Sequence, residues 1–450
     1  MKQPDALEIM KMGHNIFLTG PAGCGKTFLL NKYVNFLKKN GITVGITAST
    51  GIAATHIDGR TIHSWCGIGI SEEISDKHIK LLEGKKDLRE RLMSSSVLVI
   101  DEISMLSADR LDMVDYVCKV IRKDMRPFGG LQIILCGDFF QLPPVARGGQ
   151  DSRFVLDSEV WKDMDIKICY LEDQYRQDDT NFLKVLNDIR NNSVTVETKK
   201  IINGRVNKSV GKKIKPTKLY THNRNVDAEN LSELKKLRGS EMVYEMRSDG
   251  DSHLVEGLKK ACLSPELLKL KVGAVVMFVK NNFNKGYVNG TLGKVVDFDG
   301  HNGNPVVETL AGDRIVADPA RWVVEEGDVD IAFISQIPLR LAWAITVHKS
   351  QGMSLDCAEI DLRSTFEYGM GYVALSRVRS LSGIKLMGIN KMALEVNRQV
   401  SALDKKLLLI SDDDLVVLNK VNKQERKKVH KEFIKKCKNK DRSNIFETLS

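Results

Sequence analysis

The chain has 450 residues, 42% hydrophobic and 28% charged, with a formal net charge of +10. That is ordinary for a globular protein of two or three domains. No apolar run approaches the ~20 residues a membrane helix needs, and the start of the chain lacks a signal peptide's apolar core. Eight scattered cysteines with no Cys-x-x-Cys pair suggest free thiols of an intracellular protein, against a zinc site or disulfide framework. Residues 421–442 carry ten Lys or Arg against three Asp or Glu, so the rest of the chain is only about +3. A solvated helical terminus and a DNA-touching segment fit that charge equally well.

In chain order, the first firm signal lies at residues 12–40. Asn15-Ile16-Phe17-Leu18-Thr19 is a short apolar run that predicts a buried strand. Gly20-Pro21-Ala22-Gly23-Cys24-Gly25-Lys26-Thr27 follows, a G-x-x-x-x-G-K-[ST] phosphate-binding loop, and residues 28–37 continue at helical spacing. Glycines let backbone N–H groups converge on phosphate oxygens, and a helix start adds its positive dipole end. Lys26 is placed to reach the β- and γ-phosphates, and the Thr27 hydroxyl to ligate Mg²⁺.

Next, Val97-Leu98-Val99-Ile100 predicts a buried strand ending in Asp101-Glu102. Carboxylates at a strand's C-terminal end suit the ligand site of a parallel sheet. Asp101 is expected to hold Mg²⁺ through water, and Glu102 to orient and deprotonate the attacking water. A surface Asp-Glu pair is the alternative, weakened by the preceding phosphate loop. Leu131–Cys136 is a further buried strand, leading into Gly137-Asp138-Phe139-Phe140-Gln141-Leu142-Pro143-Pro144. Gln141 fits a γ-phosphate sensor, and a stiff proline turn is the plainer reading. Arg176 and Arg377 are candidate arginine fingers, although position alone does not distinguish them from surface arginines.

Together these strings resemble the Pif-type (petite integration frequency) helicases, in the 5′→3′ branch of helicase superfamily 1 alongside RecD and Dda. The resemblance runs from about residue 3 to about residue 385. It is carried by Thr47-Ala48-Ser49-Thr50-Gly51-Ile52-Ala53-Ala54, Thr61-Ile62-His63-Ser64-Trp65, Asp101-Glu102-Ile103-Ser104-Met105 and Pro127-Phe128-Gly129-Gly130-Leu131-Gln132. Later come Ala344-Ile345-Thr346-Val347-His348-Lys349-Ser350-Gln351-Gly352 and Tyr372-Val373-Ala374-Leu375-Ser376-Arg377. The resemblance implies two RecA-like domains with ATP and Mg²⁺ in the cleft between them. Lys26, Thr27, Asp101, Glu102 and Gln141 would come from the first domain, and Arg176 and Arg377 from the second. It also implies nucleotide contacts at Gln3, Gly23, Cys24, Gly25 and Gly352, with Gln3 reading adenine. Ser49, Thr50, His63 and Trp65 on the first domain would contact DNA, as would Thr346, His348 and Lys349 on the second. Cys24 stands where Thr is common, and Trp65 where Phe is usual, which would keep an aromatic face for base stacking.

The expected fold is α/β, with two RecA-like P-loop domains in tandem and two insertions. Residues 1–155 form the first domain, with a helical pin or wedge, or a plain solvated hairpin, at 66–95. Residues 156–269 and 336–395 form the second. Short strands punctuated by Asn289-Gly290 and Asp299-Gly300 predict a small β-barrel at 270–335, Src-homology-3-like by resemblance. Residues 396–450 are a helical region with the basic tail.

The expected activity is ATP-dependent 5′→3′ translocation on single-stranded DNA with duplex unwinding, extending to G-quadruplexes or RNA–DNA hybrids. Replication, repair and recombination are the expected settings. A translocase that strips proteins with little unwinding, and a P-loop ATPase without motor action, are the alternatives. Expected partners are single-stranded and forked or tailed duplex DNA, with no membrane. A monomer is expected, with dimerisation on DNA left open. The expected location is the cytoplasm, or the nucleus or mitochondrion if the source is eukaryotic.

Overall fold

The computed structural model describes residues 1–57, 59–69, 76–144, 153–174, 179–210, 216–222, 226–287, 289–326 and 329–447. Five-residue, largely apolar runs make five of the first lobe's strands, β1 (Asn15–Thr19), β2 (Val44–Ala48), β4 (Val97–Asp101), β5 (Gln132–Cys136) and β6 (Ile166–Tyr170), and the two-residue β3 (Arg60–Thr61) is the sixth. They form one parallel sheet in the order β3-β2-β4-β5-β1-β6. Every residue of β4 and β5 is buried, as expected for central strands covered on both faces. β6 lies outside the expected 1–155 boundary: it pairs along its whole length with β1, so the first lobe runs on to about residue 171.

The second lobe is a four-stranded parallel sheet in the order Ala344–Thr346, Thr217–Tyr220, Ala358–Leu362, Ile384–Ile389. Between its halves sit antiparallel strands. Five of them, Val275–Phe278, Leu292–Phe298, Pro305–Thr309, Arg314–Val316 and Leu339–Leu341, make one sheet. Ala320–Glu326, Val329–Gln336 and Arg247–Gly250 make a second, and Met242–Glu245 pairs with Leu267–Leu270. The β insertion therefore extends from Met242 to Leu341, wider than the expected 270–335. Arg247–Gly250 is exposed throughout, so it carries no apolar alternation to betray a strand.

In the 66–95 segment, helices Asp76–Glu83 and Lys86–Ser94 bury Ile79, Leu82, Leu88 and Leu92 against the first lobe, and residues 70–75 lie outside the described residues. The C-terminal region returns to the first lobe. Helix Arg398–Lys420 lies along β6, where the Ser411 Oγ accepts from the Tyr170 N–H (3.1 Å) and the Asp414 carboxylate from the Ile168 N–H (2.8 Å). These side chains satisfy donors that an open sheet edge would leave unpaired. Helix Lys423–Glu447 then buries Phe433 and Cys437 in the first lobe's core and leaves Lys427, Lys428, Lys431, Lys435 and Lys436 exposed. All eight cysteines are free thiols. No helix among the described residues is long and apolar enough to cross a membrane.

Candidate nucleotide and polynucleotide site

The phosphate loop sits between β1 and helix Lys26–Lys39. Gly23 and Gly25 take positive φ (86° and 83°), and Gly25 gives the helix start no side-chain cap, which leaves its N–H groups to an anion. Lys26 Nζ donates to the carbonyls of Gly20 (2.8 Å) and Pro21 (3.1 Å), so the ammonium lies over the loop's mouth beside the buried Cys24. Thr27, one residue on, is exposed. The Gln3 side-chain amide donates to the Cys24 carbonyl (3.1 Å), which ties the first helix to the loop.

Four chain segments meet opposite the loop. β4 ends at Asp101, whose carboxylate accepts from the Glu102 N–H (2.8 Å). Glu102 itself has a left-handed backbone (φ 51°), a conformation a bulky residue rarely adopts outside strained functional turns. Burial raises the Asp101 pKa. Burial, then Asp101, pushes Glu102 up to about 7 against the pull of Arg377 and Lys26. From the second lobe, the Gln351 amide donates to the Glu102 carboxylate (3.1 Å). Gln141, from the β5 exit, donates to Asp138 (3.5 Å). Each amide N–H₂ faces a carboxylate, which fixes the orientation of both side chains. Their oxygens, Gln141 Oε1 and Gln351 Oε1, are buried without a hydrogen-bond partner. Two orphaned buried acceptors, each on an amide held by a carboxylate, suit bound water or ligand groups that donate to them.

Arg377 ends helix Met370–Ser376 and is buried, with its guanidinium donating to the Val373 carbonyl and the Ser376 hydroxyl (3.0 Å each). Burial lowers its pKa, and Glu102 opposes that. The same helix brings Tyr372 across the cleft, where its hydroxyl accepts from the Ala22 N–H (2.9 Å). Gly369, at φ 81°, lies against the first lobe so closely that a Cβ would meet the Phe140 carbonyl at 2.5 Å. Gly352 (φ 77°) follows Gln351 at the cleft. Arg176 lies outside the described residues.

Three of the seven expected DNA contacts are corrected by burial. Trp65 is 2% exposed and packs against Gly45, so its ring offers no stacking face. Ser49 is 8% exposed and its hydroxyl donates to the Glu102 carbonyl (2.6 Å), which braces the β4 corner. Thr346 is 3% exposed and its hydroxyl accepts from the Lys349 N–H (3.3 Å), which shapes the turn it precedes. Thr50, His63, His348 and Lys349 are partly exposed, near the C-terminal ends of their lobes' strands.

Four residues outside the expected set belong to the cleft: Gln351, Tyr372, Asp138 and Arg190. The first three stood inside recognised strings. Arg190 had no signal beyond being a cation on an apolar helix face. It is buried, pairs with Asp138 (2.7 Å) and Asp404 (3.0 Å), donates to the Tyr170 hydroxyl (3.1 Å) and stacks on Phe140 (4.0 Å).

A phosphate loop on one parallel-sheet lobe, facing a second such lobe that sends Gln351, Tyr372 and Arg377 into the same pocket, defines a two-lobed P-loop ATPase. Residues 5–211 match the PIF1-like helicase family, and 253–298 match the DNA helicase Pif1 2B domain. The chain is 40% identical over 96% of its length to the ATP-dependent DNA helicase Pif1 of Psychrobacter, spanning 75% of that protein. It is 38% identical over 89% to human ATP-dependent DNA helicase PIF1, of which it spans 62%. Bacteroides Pif1 superposes with TM-score 0.78 in complex with ADP-AlF4, 0.75 unliganded and 0.62 bound to ssDNA, at 31%, 31% and 29% identity. Those matches cover 90%, 90% and 92% of this chain and 96%, 95% and 97% of the other. The chain belongs to the PIF1-like helicases, a family of ATP-dependent DNA helicases.

Proposed function

We propose that this protein hydrolyses ATP to move 5′→3′ along single-stranded DNA and to unwind the duplex ahead. The single observation that carries the reading is the convergence of both lobes on Glu102: Gln351 donates to it across the cleft, and Arg377 and Lys26 favour its charge. A group that both lobes hold can report the nucleotide's state to both.

Lys26 and the loop amides bind the phosphates. Thr27 and Asp101 fit Mg²⁺, which takes few protein ligands and completes its shell with water and phosphate oxygens. The ion supplies charge neutralisation at the β- and γ-oxygens when bound. Glu102, held by the Gln351 amide, orients the attacking water and accepts its proton, and the orphaned oxygens of Gln351 and Gln141 are further acceptors in the pocket. Arg377 and Arg176 stabilise the charge on the transferred group. Loss of the γ-phosphate removes the attraction that closes the lobes, so the grips at Thr50 and His63 and at His348 and Lys349 alternate. Contacts to phosphates and base faces make binding sequence-tolerant and salt-sensitive. In this reading the 66–95 hairpin is the strand-separating element, and the β insertion, Src-homology-3-like in part, guides the duplex. Forked and tailed duplexes are the substrates. The structures of Bacteroides Pif1 with ADP-AlF4 and with ssDNA support the nucleotide and strand assignments.

Lys26→Ala tests the assignment. ATP turnover should fall to background while affinity for a single-stranded oligonucleotide, measured by anisotropy without nucleotide, stays within about threefold of wild type, a shift too small to reflect a lost contact. Wild-type turnover in this variant would remove the phosphate loop from the mechanism.

A further inference from the structure

With Trp65 buried, the expected stacking face must lie elsewhere. We propose that Phe366, backed by His222, stacks on a base of the single strand where it crosses the second lobe. The inference rests on the single-strand reading and adds to it a site on residues given no role there.

Four observations place it. Phe366 is 53% exposed, although an aromatic ring of that size ordinarily dominates a core. It lies beside His222 with ring centroids 4.8 Å apart at 44°, and the His222 Nδ1 is hydrogen-bonded to the Thr221 hydroxyl (2.8 Å), which fixes the imidazole behind the phenyl ring. The next residue, Glu367, approaches the His348 Nε2 to 3.9 Å, so Phe366 borders the His348–Ser350 turn that carries Lys349. His222 follows strand Thr217–Tyr220, and His348 follows its neighbour Ala344–Thr346; the Val347 N–H donates to the Tyr220 carbonyl (2.9 Å). All three groups thus lie at the C-terminal edge of one parallel sheet, where such sheets bind ligands.

The chemistry fits a nucleobase. A phenyl ring has no hydrogen-bond code, so it accepts any base face, and Lys349 supplies charge for the adjoining phosphate. Tyr368, also exposed, lines a separate cleft with Asn390 and Arg398.

The test uses the full chain and a dT oligonucleotide carrying one 2-aminopurine, without nucleotide. Phe366→Ala should weaken binding about tenfold, within the range for loss of one base–aromatic stack, and should diminish the 2-aminopurine quench. Phe366→Trp should retain wild-type affinity within about threefold, while Phe366→Leu should behave like the alanine variant. The slope of affinity against salt should not change, because no charge is removed. DNA-independent ATPase should also be unchanged. Wild-type affinity in Phe366→Ala, or in Phe366→Leu, overturns the stacking role. Failure of the wild-type chain to bind the oligonucleotide overturns the single-strand reading and the stacking role with it.

Discussion

Burial lifts the Glu102 carboxyl to about 7 from 4.5, with Asp101 pushing the same way. The folded state therefore holds this proton more tightly than the unfolded chain. The resulting stability is fully present below pH 4.5 and is lost as pH rises through about 7. Glu102→Gln stays neutral throughout. In EDTA, without nucleotide, the variant should match wild type in urea unfolding near pH 5 and exceed it by roughly 1–3 kcal/mol near pH 8.5. Equal stability at both values would mean Glu102 ionises without penalty. At this scale the sequence was informative wherever chemistry demands a residue at a fixed spacing, as at Lys26, Asp101 and Glu102. It misled where burial decides. Trp65, Ser49 and Thr346 are chemically able to touch DNA, yet each faces inward, and nothing in their spacing reveals that.

At the scale of elements, Arg190 joins helix Thr180–Arg190 to the β5 exit through Asp138 and to helix Arg398–Lys420 through Asp404. Asp138 in turn holds the Gln141 amide. Arg190→Met leaves Asp138 buried without its counter-ion, and breaking such a pair costs about 3–5 kcal/mol. Urea midpoints should fall accordingly in the single variant, and by clearly less in Arg190→Met combined with Asp138→Asn. Equal losses would show that the pair's charge is not what matters. β1, β4 and β5 were readable because continuous apolar runs mark central parallel strands, whereas the second lobe's Thr217–Tyr220 and Ala358–Leu362 alternate buried with half-buried residues and carry no such run. β6 was assigned to the wrong lobe because its run is as apolar as a second-lobe strand would be, and pairing is a long-range choice. The path of the C-terminal helices was hidden for the same reason: helicity is local, whereas the surface that Ser411 and Asp414 cap lies some 240 residues earlier.

At the scale of the molecule, the chain superposes on unliganded Bacteroides Pif1 with TM-score 0.75 and on the ssDNA-bound form with 0.62, at nearly equal identity. With the ADP-AlF4 complex at 0.78, the described lobes are thus arranged more like the DNA-free forms than the ssDNA-bound one, with Tyr372 on Ala22 and Gly369 against Phe140 in contact across the cleft. Polarity came only with the family resemblance, since no spacing of residues encodes a direction of travel. The central claim is that nucleotide-driven closure of two lobes pulls one strand in one direction. Unwinding of matched duplexes with a 5′ or a 3′ single-stranded tail tests it most directly, with wild type and Arg377→Ala in parallel. The account predicts ATP-dependent unwinding of the 5′-tailed duplex alone, abolished in Arg377→Ala. Unwinding only from the 3′ tail, or ATP hydrolysis indifferent to single-stranded DNA with neither duplex opened, would contradict it.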